Sequence, residues 1–228
     1  MPVDIKQYCG LIKIGVFEYM SALYEEGELY FNTSKYLREL ECSSDGRGDP
    51  NEYLSYYGGN GTKVAIKRKG DKEYTQINDV QFVSMRNNQE EYSHLYCLSS
   101  INKSWTYKNK LLISSKNFAD GKNYAVIIHN FNEFAKRLKA KLVELKVRAK
   151  AGYIDYVSRK EFNGEMGCFK IFEEYSYQNE YRIVACLKND SVPQTIKIGS
   201  LKDIALKPLS QREFESLEIR VEKEGKAI

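Results

Sequence analysis

Glu173-Glu174-Tyr175-Ser176-Tyr177-Gln178-Asn179-Glu180-Tyr181-Arg182-Ile183-Val184 passes from polar and aromatic residues into an alternating, strand-like run. Residues i and i+2 of a strand point to one face. Read as strand, the stretch aims the Gln178 carboxamide and the Glu180 carboxylate together at whatever covers its start. A carboxylate in such a place suits stabilisation of a cationic sugar. The plainer alternative is a surface strand on which Glu180 pairs with a neighbouring Lys or Arg, because charged strand positions are usually solvated.

Upstream of this stretch, Tyr8 to Ile14 reads as a first strand. Val16, Phe17, Met20 and Leu23 have the spacing of an amphipathic helix, and Gly27 ends it. Leu29-Tyr30-Phe31 is a short strand, after which Thr33 or Ser34 caps a helical turn running to Glu41. Cys42 to Asn60 is rich in Gly, Asp, Ser and Asn and reads as a long loop or lid. Sheet is expected over 63–69 and 74–86, with a turn at Gly70-Asp71, and again over 94–100. A Lys-rich connection fills 102–120. A strand at 124–129, a helix at 131–142, a strand or strand pair at 146–157 and strands at 181–187 and 195–198 complete the chain, and its tail is charged.

Strands outnumber helices, and the helices fall early and in the middle. That order predicts an α+β fold, not a doubly wound α/β sheet. The 228 residues, 42% hydrophobic and 29% charged, suit one domain spanning 1–228 with a loop and β insertion around 42–92. Five cysteines, none in a Cys-x-x-Cys pair, argue against a disulfide framework or a structural zinc site. The N-terminus lacks an apolar signal core and no run reaches membrane-spanning length, which predicts a cytoplasmic protein with no membrane partner. A net charge of +4 permits a polyanionic partner without demonstrating one.

Most catalytic patterns are excluded. Gly58-Gly59-Asn60-Gly61 lacks the Lys-Ser or Lys-Thr of a phosphate-binding loop, and no Gly-x-Ser-x-Gly elbow is present. His94 and His129 have no carboxylate partner in sequence and read as structural or solvated. Asp45, Asp49 and Glu52 miss the calcium-loop spacing, so no metal is expected. What remains is an ordered set at three strand edges: Lys13, then Ser99-Ser100, then Gln178-x-Glu180.

A cation, a hydroxyl and a carboxylate in that order resemble the ADP-ribosyltransferase superfamily, over about Ile12 to Ile204. The strand and helix ending in Glu26-Gly27-Glu28-Leu29-Tyr30-Phe31 are similar to the start of toxin-type transferases that modify nucleic acid. Leu98-Ser99-Ser100 is similar to the Ser-Thr-Ser strand of the Arg-Ser-Glu branch, and Gln178-Asn179-Glu180 to its Gln/Glu-x-Glu element. Tyr175 and Tyr177 stand where that branch carries a substrate-facing aromatic. The chain also resembles a bacterial family sharing Leu-Tyr-Phe, Asp-Pro-x-Glu, a Cys-x-Ser strand and Tyr-x-x-Glu-Tyr-Arg, some of whose groups sit in toxin and phage-defence loci. The difference lies at the first strand, where Lys13 replaces the family's Arg or His.

The resemblance implies a split mixed or antiparallel sheet with a few flanking helices. It also implies NAD as co-substrate and a macromolecular acceptor, RNA or DNA ahead of protein. A cognate antitoxin is the partner a toxin role would imply. Glu180 would stabilise the cationic ribose, Gln178 would orient the acceptor, and Ser99 would position the ribose. Lys13, Ser99, Ser100, Tyr30 and Tyr36 would bind NAD, and Tyr175 and Tyr177 the acceptor. Tyr53, Tyr56, Tyr57 and Tyr107 are further expected as exposed stacking residues. This reading requires Lys13, Ser99 and Glu180 to converge in one cleft. The rivals are a non-catalytic nucleic-acid- or partner-binding module on the same fold, and a metal-dependent nuclease using Asp49, Glu52 and Glu180.

Overall fold

The computed structural model describes residues 8–41, 51, 53–86, 93–102, 106–107, 110–111, 123–187, 192–218, 222–223 and 226–227. The chain opens with β1 (Tyr8–Val16), α1 (Phe17–Glu26), β2 (Glu28–Thr33) and α2 (Ser34–Glu41). Four short strands follow: β3 (Tyr56–Gly58), β4 (Val64–Ile66), β5 (Thr75–Ile77) and β6 (Val83–Met85). Then come the long β7 (His94–Asn102), a small hairpin of β8 (Thr106–Tyr107) and β9 (Lys110–Leu111), β10 (Asn123–Ile128) and α3 (Phe131–Glu144). The remainder comprises β11 (Ala149–Tyr153), β12 (Asp155–Val157), β13 (Asn163–Glu165), β14 (Lys170–Phe172), β15 (Glu180–Ala185), β16 (Gln194–Lys197), β17 (Leu209–Ser210) and α4 (Gln211–Glu215). The fold is α+β, as the element order predicted, and its sheet is mainly antiparallel.

Eight strands form the central sheet. Its main path is β11-β15-β7-β1-β10-β17, and β2 with β16 join it through β7. The sheet forks at β7. One end of that strand pairs with β1, from Tyr8↔Asn102 to Ile12↔Ser99. The other end pairs with β2, at Asn32↔Leu95 and Thr33↔His94. Between these ends lie Tyr96, Cys97 and Leu98, while β1 continues from Lys13 to Val16 against β10 alone. α1 fills the divergence: it leaves β1, buries Met20 and Leu23 in the core, and stops at Gly27 in the left-handed conformation. Glycine adopts that conformation without the steric cost a side chain would add.

One face of the sheet packs on α1 and α3 through Leu11, Phe31, Leu98, Val126, Phe134, Leu138 and Ile183. The opposite face, at the β1–β10 end, is closed by Ile12, Ile101, Ile127 and Phe214. A third cluster joins Leu54 and Tyr57 to Val157, Met166 and Phe172, so part of the expected 42–92 insertion packs on the later 154–175 segment. Tyr57 is buried there and Tyr53 is buried as well, which corrects their expected exposure, and Tyr56 is half-buried. The Tyr107 side chain and residues 45, 49 and 52 lie outside what the structure describes. Among the described residues no helix is long and apolar enough to cross a membrane.

Candidate functional site

The strand at the chain's most informative stretch begins at Glu180, not before it. Glu173–Gln178 forms a 3₁₀ segment, and Asn179 follows in the left-handed region at φ 42°. Asn and Asp tolerate that region better than most residues. Asn179 is fixed by Ser100: the Ser100 backbone N–H and Oγ both donate to the Asn179 carbonyl, at 2.8 and 3.0 Å. The Asn179 Nδ2 donates in return to the Ser100 carbonyl at 2.6 Å. Gln178 therefore does not share a strand face with Glu180. Ser100 is buried and spent on this clasp, so it positions the turn and does not bind a cofactor.

The residue two along from Glu180 on its own face is Arg182. Its Nε donates to Glu180 Oε1 at 2.6 Å and a terminal nitrogen to Oε2 at 3.1 Å. The remaining terminal nitrogen donates to the Cys168 carbonyl at 2.9 Å. Both charged side chains are buried, 2% exposed for Arg182 and 7% for Glu180. The bidentate geometry is the strong form of an Arg–carboxylate pair. The Glu180 backbone N–H donates to the Tyr156 hydroxyl at 2.8 Å. Burial, more than any neighbour, pushes the Tyr156 phenol well above its ordinary range.

Across the ladder Glu180 lies opposite Ser99, and Arg182 opposite Cys97. Alternation then puts Leu95, Cys97, Ser99, Glu180 and Arg182 on one face, and the Asn32↔Leu95 pair adds Asn32 and Tyr30 of β2 to it. The Asn32 Oδ1 is buried and has no hydrogen-bond partner among the described residues.

Lys13 leaves β1 from the opposite face, level with Val126 of the main core. Its ammonium ends at the fork, donating to the Cys97 carbonyl at 2.6 Å and lying 4.5 Å from the centre of the Tyr96 ring. The fork takes this carbonyl out of the β1–β7 ladder, and a buried carbonyl needs a donor. Desolvation lowers the Lys13 pKa, opposed by Cys97 and by the Glu180 carboxylate. Ser99 and Glu180 thus share one face near Cys97, but Lys13 comes from the other, so the expected three-member cleft is not formed and Lys13 does not line the Ser99–Glu180 face.

Burial, then the Glu180 carboxylate, drives the Cys97 thiol far above the usual thiol range, with Arg182 and Lys13 opposing. A thiol held protonated is a poor nucleophile. Brief alkylation with iodoacetamide at pH 8 is therefore expected to label the exposed Cys186 and to spare Cys97. Peptide mass spectrometry reads the outcome, and equal labelling of the two would contradict this picture of the site.

No family model, curated protein or solved structure matches this chain. Among the described residues no group of three or more His, Cys, Asp or Glu is arranged to hold a metal ion.

Of the other expected site residues, Tyr30 shares the Ser99–Glu180 face and the rest lie apart from it. Tyr30 and Tyr36 are exposed. Tyr19 stacks on Tyr30 with ring centroids 6.1 Å apart, and desolvation, then Tyr36 and Tyr19, raise the Tyr30 pKa. Tyr175 packs against the third core cluster, and Tyr177 is half-buried. His94 is buried with one ring nitrogen 3.0 Å from the Val192 carbonyl, a structural role, and His129 is exposed. Sequence reasoning missed Arg182, Tyr156, Cys97 and Asn32 as members of the site. Arg182 had a signal, since it stands at i+2 from Glu180 within the strand.

Proposed function

We propose that the chain is an NAD-dependent ADP-ribosyltransferase acting on a macromolecular acceptor, nucleic acid ahead of protein, in a bacterial toxin or anti-phage role. The observation that carries this reading is the Ser99↔Glu180 pair, a hydroxyl directly opposite a carboxylate at the fork of the sheet. The orphaned Asn32 Oδ1 on the same face fits a substrate that offers an N–H donor, such as the carboxamide of nicotinamide.

The chain's groups have separable tasks in this reading. Arg182 fixes the orientation of Glu180 through its two hydrogen bonds. A carboxylate holding a bidentate guanidinium retains further acceptor lone pairs, and these take a ribose hydroxyl. Glu180 then stabilises the positive charge that develops as the C1′–nicotinamide bond breaks. Nicotinamide leaves with the bonding electron pair, and the acceptor's oxygen or nitrogen bonds to C1′ and releases its proton. Ser99 positions the ribose from across the ladder. Gln178, half-buried at the end of the 3₁₀ segment, orients the acceptor from outside the strand.

Two observations favour a second reading, a non-catalytic nucleic-acid- or partner-binding module. The guanidinium already occupies both oxygens of Glu180, and Lys13 approaches from the opposite sheet face. In that case Glu180–Arg182 is a structural clamp tying β15 to the segment that contains Cys168.

Incubation with NAD labelled on its adenylate half, together with RNA, DNA or lysate, separates the two readings. Transfer of label or release of nicotinamide, lost in Glu180→Ala and strongly reduced in Ser99→Ala, is the expected result. Glu180→Ala must first be shown to be folded by circular dichroism. Equal turnover in a folded Glu180→Ala protein would remove Glu180 from the reaction. No nicotinamide release by the wild type would leave the binding module. Growth arrest on expression, relieved by Glu180→Ala, would support the toxin role.

A further inference from the structure

A cavity of about 680 Å³ opens beside the edge strand β11, lined by Phe131, Lys150, Ala151, Gly152, Tyr153, Phe169 and Tyr181. Its size falls in the range of small-molecule pockets. β11 ends the main path of the central sheet, so its outer side has no neighbour on that path. The rings are set on rigid elements. Tyr181 meets Phe131 edge-on at 5.5 Å and Tyr153 at 5.0 Å, and Phe131 stands in the first turn of α3. Phe169 lines the other side, its ring within van der Waals reach (3.6 Å) of where a Cβ on Gly152 would stand.

The approach to this cavity is basic. Lys150 lines the cavity and is exposed, and Arg148 and Lys146, two and four residues earlier in the sequence, are exposed as well. The nearest preceding carboxylate, Glu144, is paired with Lys141 at 2.7 Å. Aromatic rings around a cavity with room for a base, with Lys150 in its lining, combine the two elements by which proteins hold single strands: stacking and phosphate neutralisation. An apolar ligand would not need the cations. A peptide added as a strand would be held by backbone bonds along β11 and would not need the rings.

We infer that the β11 edge is a binding site for single-stranded nucleic acid, with one base in the aromatic cavity and its flanking phosphates on Lys150 and Arg148. The binding stands without NAD; only its role as the acceptor site rests on the transferase reading. The cavity lies beside the charged cluster, since Gly152 is paired across the ladder with Arg182.

The test uses the full chain without NAD and a 5′-fluorescein-labelled 12-nucleotide RNA of mixed sequence, read by fluorescence anisotropy at about 50 mM salt. The single strand is expected to bind, to weaken as salt is raised, and to outcompete a duplex of the same sequence. Loss of one stacked base corresponds to roughly tenfold in affinity, so Tyr153→Ala should lose about that much and Tyr153→Phe should retain binding. Lys150→Glu and Ala151→Glu alter exposed positions and leave the fold intact, so they decide the matter should Tyr153→Ala fail to fold. Each should weaken binding about tenfold or more. Binding by all folded variants at wild-type strength would overturn the site, as would absence of any binding. So would tighter binding of an acidic peptide than of the RNA. Because the assay contains no NAD, its failure leaves nicotinamide release by the wild type as a separate result.

Discussion

Replacing Arg182 by methionine is expected to destabilise the protein by about 3–5 kcal/mol, the usual cost of removing one partner of a buried ion pair. The substitution removes two hydrogen bonds to Glu180 and one to the Cys168 carbonyl. It also leaves a carboxylate that is 7% exposed with no cation bonded to it. Lys13 offers no replacement, because its ammonium is committed to the Cys97 carbonyl from the other side of the sheet. Glu180→Gln alone should cost less: the amide oxygen still accepts from the guanidinium, though its NH₂ group faces the second donor. The double variant Glu180→Gln/Arg182→Met should recover much of the loss, since neither buried charge remains and the methionine fills most of the vacated volume. Urea denaturation of the four proteins at pH 7 gives the coupling between the two positions directly. Additive effects, with each single change costing under about 1 kcal/mol, would show that the pair is not the clamp described above. The measurement also bears on function, because a Glu180 variant that remains folded is the control every activity test requires.

The early part of the fold was legible because its signals are local. Apolar residues at helical spacing marked α1, Gly27 marked its end, and Thr33 or Ser34 marked the start of α2, where it is the Thr33 Oγ1 that accepts the Tyr36 N–H at 3.1 Å. The same holds for α3, whose apolar stripe of Phe134, Leu138 and Leu142 is buried as its period required. Its N-cap, Asn130, accepts from the Glu133 N–H at 3.1 Å.

The site was legible only in its members' order. Strand alternation was read two residues too early, because a 3₁₀ turn and a left-handed Asn179 precede Glu180 and remove Gln178 from the ladder. Whether Asn179 takes that conformation depends on Ser100, which is 79 residues away. No local pattern contains that information. The fork depends likewise on β1 and β2 competing for one edge of β7, and Tyr156 reaches Glu180 only through the return of the 154–178 segment. The buried Tyr57 carries the same lesson. A tyrosine-rich loop looks like a solvent-facing platform until Val157 and Phe172, about a hundred residues later, cover it.

The glycine that ends α1 gives the second large effect. Gly27→Ala is expected to cost roughly 3–5 kcal/mol, from a left-handed backbone that resists a Cβ and from a clash that the surroundings cannot relieve. Gly27 has φ 64°, and a Cβ placed there would lie 2.0 Å from the Gly199 carbonyl oxygen. That obstacle is backbone, and it is held in place: the Ile198 N–H donates to the Gly27 carbonyl at 3.0 Å, and the Leu201 N–H to that of Tyr24 at 3.0 Å. Relief would have to push β16 away from β2 and loosen the lip of the fork that carries Asn32. Gly61 supplies the internal control, since it has φ 83° and nothing within 4 Å of an added Cβ. Gly61→Ala therefore pays the conformational cost alone, about 1–2 kcal/mol. Chemical denaturation should separate the two variants by 2 kcal/mol or so, the share owed to the clash. Gly27→Asn should fare little better than Gly27→Ala, because asparagine eases the backbone conformation while its Cβ meets the same oxygen. Equal losses at Gly27 and Gly61 would mean that β16 yields freely, and that the lip of the fork is not fixed by the end of α1.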